Sequence, residues 1–417
     1  MDGNHPYEFS DKDFVMRVFY AQAVYDQDEI NAVTDILQNS STELMGGGRV
    51  LEFESRIAAL FGKRFGLMVN SGSSANMLAM AALDLPRGTE VITPALTFST
   101  TVAPLLQLGL IPAFVDVEPD TYVIDVKRIE EMITPNTKAM MIPNLIGNLA
   151  DWGPLRELAD RHELALIEDS CDTIGYLYQG QPTGQISDIV TTSFYASHVM
   201  TAGGFGGMVC FDDEDLFRRA TLLRGWGRGS SLSQESETIE DRFNVEVDGI
   251  PYDTKFVFED VGYNYLPSAL AAAFGLVQLD KLEKFIQTRI ENFEKLRAYF
   301  EKYKNWFILP QQTNDTVTAW LALPLIVRDD APFSRRDLQI YLEENGIQTR
   351  TVFTGNILRQ PGFKDIERKE SPSGYPNADQ VMRGGILLGC HQGMGSEQIE
   401  YMCDHFESFS AKYRQNA

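Results

Sequence analysis

The chain has 417 residues, 44% of them hydrophobic and 23% charged, with a formal net charge of −23. A chain of this length buries a large core and divides into two or three domains. Its acidic balance disfavours a nucleic-acid partner, which needs a basic stripe, and the lack of an apolar run of about 18 residues speaks against a membrane span.

The N-terminal MDGNHPYEFSDKDF is acidic and has no apolar segment of the signal-peptide kind. Residues 26–62 read as helices around a glycine break. Short apolar runs then alternate with helical patterns. The predicted strands are 65–70, 90–95, 111–117, 138–146, 165–170, 189–196 and 206–211. Helices are expected at 75–83, in TVAPLLQLG, in VKRIEEMI and in WGPLRELADRH. The alternation predicts an α/β protein with a mainly parallel seven-stranded sheet between helices. Residues 225–258 are polar and rich in Ser and Gly, and read as a long excursion with room for a hairpin. Residues 266–303 carry sustained helical periodicity, as one helix or two. The expected division is a large domain over 1–270, holding the excursion, and a long helix with a smaller C-terminal α/β domain over 271–417.

Several short stretches carry possible chemistry. SGSSAN places Gly72, Ser73 and Ser74 between a strand and a helix. That is equally an ordinary N-cap or an anion site. Asp169 ends a predicted strand, where carboxylates face the ligand crevice of open α/β sheets or cap the next helix. Asp172 follows one turn later. Phe98 lies just past a strand end and suits either core packing or stacking on a flat ligand. The histidines are His5, His162, His198, His391 and His405, and none lies in a metal-binding spacing. Cys171, Cys210, Cys390 and Cys403 form no C-x-x-C pair and read as free thiols, so no metal site and a cytoplasmic location are expected. No G-x-S-x-G elbow is present. On spacing alone His198 is as readily a satisfied loop residue as a catalyst.

The ordered set NSGSSAN, TFSTT, FVDVEPDTY, IEDSCDTIG, SFYASHVMTAGGFGGMV and GYNY resembles the DegT/DnrJ/EryC1/StrS family of sugar aminotransferases, over most of the chain. The resemblance implies the fold-type-I pyridoxal-phosphate transferase fold and a homodimer with shared active sites. It also implies that Gly72, Ser73, Ser74 and Ser193 hold the cofactor phosphate, with Asn264 reaching in from the partner subunit. Asp169 would pair with the ring nitrogen, Phe98 would stack on the ring, and Asp172 would lie near the ring hydroxyl. Where the aminotransferases have their cofactor-binding lysine, this chain has His198.

The histidine makes the chain similar to the 3-dehydratase branch, which works with pyridoxamine phosphate. There the imidazole acts as general acid and base, and a group near its ordinary pKa of about 6.5 suits that task. The implied substrate is a nucleotide-linked 4-keto-6-deoxyhexose that loses its 3-hydroxyl. One kind within this branch carries an iron–sulfur cluster on C-x57-C-x-C-x7-C. Cys171 matches the first ligand, but Gly229, Ser231 and Ile239 stand at the others, so no Fe–S cluster is expected. The cluster-free kind takes its amino group from L-glutamate. Candidate substrate contacts are Arg49, Arg350, Asn356, Arg359 and His391. The alternatives are a related reaction on a sugar nucleotide without loss of the 3-hydroxyl, or a non-catalytic binding protein.

Overall fold

The computed structural model describes residues 16–40, 42, 44–232 and 238–414. The N-terminal stretch weighed as a leader, His5, and residues 233–237 of the excursion lie outside them. Two helices open the described fold, α1 (Gln27–Asn39) and α2 (Gly48–Leu60). Asp26 caps α1 in a reciprocal box with Glu29, which satisfies two amide groups that a helix start leaves open. Then strands and helices alternate: β1 (Phe65–Val69), α3 (Gly72–Ala82), β2 (Glu90–Pro94), α4 (Ser99–Gln107), β3 (Ile111–Val115), β4 (Thr137–Pro143), α5 (Trp152–His162) and β5 (Ala165–Ser170). After β6 (Ile189–Ser193) and β7 (Gly207–Phe211) comes α6 (Glu214–Arg224).

These seven strands form one sheet in the order β1-β7-β6-β5-β4-β2-β3. Only β7 runs against its neighbours, β1 and β6. A parallel return needs a crossover, usually a helix, and the loop 194–206 between β6 and β7 has none. Gly203, Gly204 and Gly206 hold φ of 70°, 104° and 131° in that loop, which glycine adopts at little cost. The loop carries His198 at the carboxyl-end edge of the sheet.

The helix α7 (Ala269–Phe300) is a single element of 32 residues. Its Ala272, Leu276, Leu279 and Leu282 pack in the core against the large sheet. Its Phe293, Leu296 and Phe300 pack in a second core. Above that second core lies an antiparallel sheet of Phe307–Ile308, Leu323–Val327, Gly385–Leu388 and Thr349–Thr351. Among the described residues no helix is long and apolar enough to cross a membrane.

Some local expectations change, and one is filled in. VKRIEEMI forms two short 3-10 turns, Val126–Arg128 and Glu130–Met132, in place of a helix. Thr134 precedes Pro135, which forces extended backbone and cuts the helix short. The fourth strand stops at Pro143 and the sixth at Ser193, short of the expected ends, because the chain turns into the site there. In the excursion, Val245–Val247 and Ile250–Tyr252 make a hairpin. Asp248 and Gly249 both have positive φ at its turn, the conformation that tight hairpins prefer.

Candidate active site

The carboxyl ends of β1, β5 and β6 converge on one cavity of about 940 Å³. At its β1 side the chain turns straight into α3. The Ser71 hydroxyl accepts the Ser74 amide at 3.1 Å and so caps the helix. First-turn amides such as those of Gly72 and Ser73 have no partner within a helix, and the helix dipole adds positive potential there. A Cβ on Gly72 would stand 2.6 Å from the Ser193 Cβ and 2.8 Å from the Cys171 sulfur, so only glycine lets these three segments meet. Ser73 and Ser193 line the cavity. Ser74 does not. Its hydroxyl donates to Asn70 Oδ1 at 2.6 Å and lies 3.0 Å from the Ser71 hydroxyl. The N-cap is thus Ser71, with Ser74 spent inside the turn, and the anion-site reading fits the amides and hydroxyls of Gly72, Ser73 and Ser193.

Asp169 sits at the end of β5 in the same cavity. One carboxylate oxygen accepts from Asn76 at 2.9 Å and from the Thr101 hydroxyl at 2.8 Å. The other accepts from the Cys171 amide at 3.2 Å. Thr191 donates to the Asn76 side-chain oxygen, and Thr97 to Thr101. This shell fixes the carboxylate and leaves it lone pairs for a ligand. Asn76 and Thr101 were not singled out from sequence. Asn76 lies four residues after Gly72 on the same face of α3, the only sequence signal for it. Phe98 is 51% exposed on the cavity wall, with Phe353 edge-on at 6.0 Å. A large aromatic ring left so open at a pocket suits a flat partner.

His198 lies between these groups. Its Nδ1 faces the Ser193 carbonyl oxygen at 3.3 Å. A carbonyl only accepts, so Nδ1 carries the hydrogen and Nε2 keeps its lone pair. Nε2 faces Asp172 Oδ1 at 3.9 Å. The other Asp172 oxygen accepts the Ile146 amide at 2.9 Å. Burial pushes His198 down to about 4, and the nearby Arg289 adds to the fall. The expectation of an imidazole near its ordinary value is thus corrected: a buried site disfavours the charged ring. Burial, reinforced by Asp169, pushes the Asp172 carboxyl up to about 7 against the pull of the Ile146 amide.

Behind His198 stands a feature the sequence did not reveal. Arg289 of α7 is fully buried. It donates to Gln392 Oε1 at 2.6 Å, to the Leu321 carbonyl at 3.0 Å and to the His198 carbonyl at 3.4 Å. Gln392 in turn donates to the Val199 carbonyl at 2.9 Å. The long helix and the C-terminal segment thereby grip the His198 backbone. Tyr20 is a second residue missed from sequence. It lines the cavity, held there because Val18 pairs with Gly346 and Gln348 and because His391 Nε2 bonds the Phe19 carbonyl.

The remaining candidates divide. Arg350 lines the cavity, with its guanidinium 5.4 Å from the Tyr20 ring centre. Arg49 pairs with Asp35 on the surface. Asn356 and Arg359 both donate to Asp379. His391 is buried, its nitrogens engaged with Phe19 and Gly393. None of these four lines the cavity, because each is spent on holding backbone or surface in place. Asn264 is exposed beside Asn70 and outside the cavity of its own chain.

The set that does converge fits the phosphorylated, aromatic cofactor that the sequence resemblance implies. It offers first-turn helix amides and two hydroxyls for a phosphate, an open ring for stacking, and a fixed carboxylate for a protonated ring nitrogen. Among the described residues the cavity lining contains no lysine. Also among them, no cluster of three or more His, Cys, Asp or Glu could hold a metal ion.

A model of the DegT/DnrJ/EryC1/StrS aminotransferase family matches residues 24–407. The lipopolysaccharide biosynthesis protein RfbH of Salmonella typhimurium is 36% identical over 368 residues, covering 86% of this chain and 84% of that protein. A dTDP-4-dehydro-2,6-dideoxy-D-glucose 3-dehydratase of Saccharopolyspora spinosa is 36% identical over 401 residues, covering 94% and 86%. A solved GDP-4-keto-6-deoxymannose-3-dehydratase with a trapped PLP-glutamate geminal diamine superposes with a TM-score of 0.84. It is 28% identical and is covered to 99% by 93% of this chain.

Proposed function

The chain belongs to the DegT/DnrJ/EryC1/StrS aminotransferase family, and from that premise we propose that it removes the 3-hydroxyl of a nucleotide-linked 4-keto-6-deoxyhexose. Its cofactor is pyridoxal phosphate, used for this reaction in the pyridoxamine form. L-glutamate is the amino donor, and no iron–sulfur cluster takes part. The observation that carries this reading is His198. It stands in the cavity at the lysine's place in the family pattern, with its Nε2 lone pair free.

Asp169 would hold the ring nitrogen protonated and Phe98 would cover the ring. Ser73, Ser193 and the start of α3 would bind the phosphate, joined by Asn264 of the partner subunit across a homodimer. Bound there, the cofactor supplies an electron sink next to the amine it carries. The chain's residues do the rest. His198 Nε2 takes and returns protons; as an imidazole held neutral by burial, it is ready to accept one at neutral pH. Asp172 would lie near the ring hydroxyl, and Arg350, on the same cavity wall, would offer a polar contact to the substrate. Imidazole forms no lasting covalent link to the cofactor, which leaves the cofactor free to carry the amino group as an amine.

The test is direct. The purified protein is loaded with pyridoxal phosphate and L-glutamate, then given CDP-, GDP- and dTDP-linked 4-keto-6-deoxyhexoses in turn. The expected product is the 3-deoxy sugar nucleotide with release of ammonia, without added reductant and without iron in the protein. A lysine adduct trapped by borohydride, or unchanged sugar in all three reactions, refutes the proposal.

A further inference from the structure

Loss of water takes a proton up at one atom and delivers one to the departing oxygen, so a lone imidazole must serve twice or share the work. His198 Nε2 and Asp172 Oδ1 face each other at 3.9 Å, and both residues line the cavity. Neither group is free to swing away. The Ser193 carbonyl holds the ring at Nδ1, and the Ile146 amide holds the far carboxylate oxygen. Ile146, which donates that amide, has a φ of 59°. Such a conformation costs on the order of 1–3 kcal/mol and persists only where surrounding structure enforces it. The gap of 3.9 Å is too long for a direct hydrogen bond, so each atom can address a third group.

We propose that Asp172 is the general acid that complements His198 as general base, giving its proton to the C3 oxygen as that oxygen leaves. The proposal rests on the reading of the reaction as loss of water. In the step, a C–H bond breaks and its proton goes to His198 Nε2. The bound cofactor would supply the electron sink that links this bond to C3, where the C–O bond breaks and its electron pair leaves with the oxygen. An O–H bond forms with the Asp172 proton, and water departs. The pair starts as imidazole and carboxylic acid and ends as imidazolium and carboxylate. Transfer of the proton from Nε2 to Asp172 through a water molecule in the 3.9 Å gap restores it, with no outside reductant.

The surroundings favour that starting state. Asp169, from the same strand end, pushes the Asp172 carboxyl upward beyond the effect of burial. Arg289 of α7 opposes a charge on His198. Tyr20, Tyr176 and Cys171 also face Asp172, and the Tyr195 ring lies edge-on to His198 at 5.9 Å. Environments that push two facing groups in opposite directions assign the acid and the base.

The test uses D172N and D172E in the loaded, full-length protein. Asparagine keeps an acceptor for Ile146 but has no proton to give, so kcat falls about 100-fold or more. The alkaline limb of the wild-type kcat profile, near pH 7, disappears with it. D172E restores part of both, which a merely structural role would not do. Independently, the cofactor-free wild type shows an infrared band of a protonated carboxyl that titrates near pH 7 and is absent from D172N. If D172N stays within about threefold of wild type with an unchanged alkaline limb, or the band is missing from the wild type, Asp172 is not the acid. If the wild type itself releases no water from any of the sugar nucleotides, the reading of the reaction fails and the acid role with it.

Discussion

Replacing Asp172 by asparagine should stabilise the cofactor-free protein at alkaline pH and do little at acid pH. The folded carboxyl is raised to about 7 from 3.8. A group whose folded pKa is raised contributes stability that is full below the unfolded value and lost as pH rises through the folded one. Wild type therefore gives up stability between about pH 4 and pH 7 through this residue. One pKa unit corresponds to about 1.4 kcal/mol, so a shift of about three units sets an upper bound near 4 kcal/mol. Partial relaxation of the site lowers the observed figure to about 1–3 kcal/mol. His198 and His391 work in the opposite direction. Both are lowered to about 4 by burial, so their contribution is present above about 6.5 and lost as pH falls toward 4. The two slopes overlap, so the quantity to measure is the difference between D172N and wild type in denaturant midpoint at pH 5, 6, 7 and 8. The difference should grow in favour of D172N with rising pH and level off above about pH 7.5. A difference that is flat with pH, or that favours wild type at pH 8, would refute the placement of a raised carboxyl beside His198.

Gly72→Ala should destabilise the protein by about 1–3 kcal/mol, the cost of overpacking, because its Cβ meets Ser193 and Cys171. Cofactor titration by absorbance should show weaker binding in the same variant. Asp169→Asn should keep the fold but weaken cofactor binding by about 10- to 150-fold, the loss of a hydrogen bond to a charged group; unchanged affinity would exclude a ring-nitrogen role. Arg289→Met should cost about 1–3 kcal/mol in unfolding experiments through unsatisfied buried acceptors, and should move the 13C-histidine titration of His198 upward. His198→Lys should yield a borohydride-trappable adduct with pyridoxal phosphate and abolish loss of the 3-hydroxyl.

The alternation of apolar runs with helical patterns carried the α/β class and the seven strands, because burial of a sheet on both faces leaves continuous apolar segments that sequence displays directly. Local boundaries were less legible where a proline or a turn into the site intervened, as at Thr134–Pro135 and after Pro143. The family resemblance, carried by the ordered motifs, grouped Gly72, Ser73, Phe98, Asp169, Ser193 and His198, and all six line one cavity.

What the sequence by itself determined was the identity of the group at position 198: a histidine, incapable of the lysine's covalent role. What only the tertiary structure decided was the state of that histidine. Its tautomer depends on the Ser193 carbonyl, and its depressed basicity on burial and on Arg289, which comes from a helix some ninety residues further along the chain. Asp172 belongs to it only through the turn at Ile146. Arg49, Asn356, Arg359 and His391 were drawn to other partners for the same reason. Proton affinity and side-chain partnership are set by neighbours in space and by the local dielectric, and neither can be read from spacing along a chain.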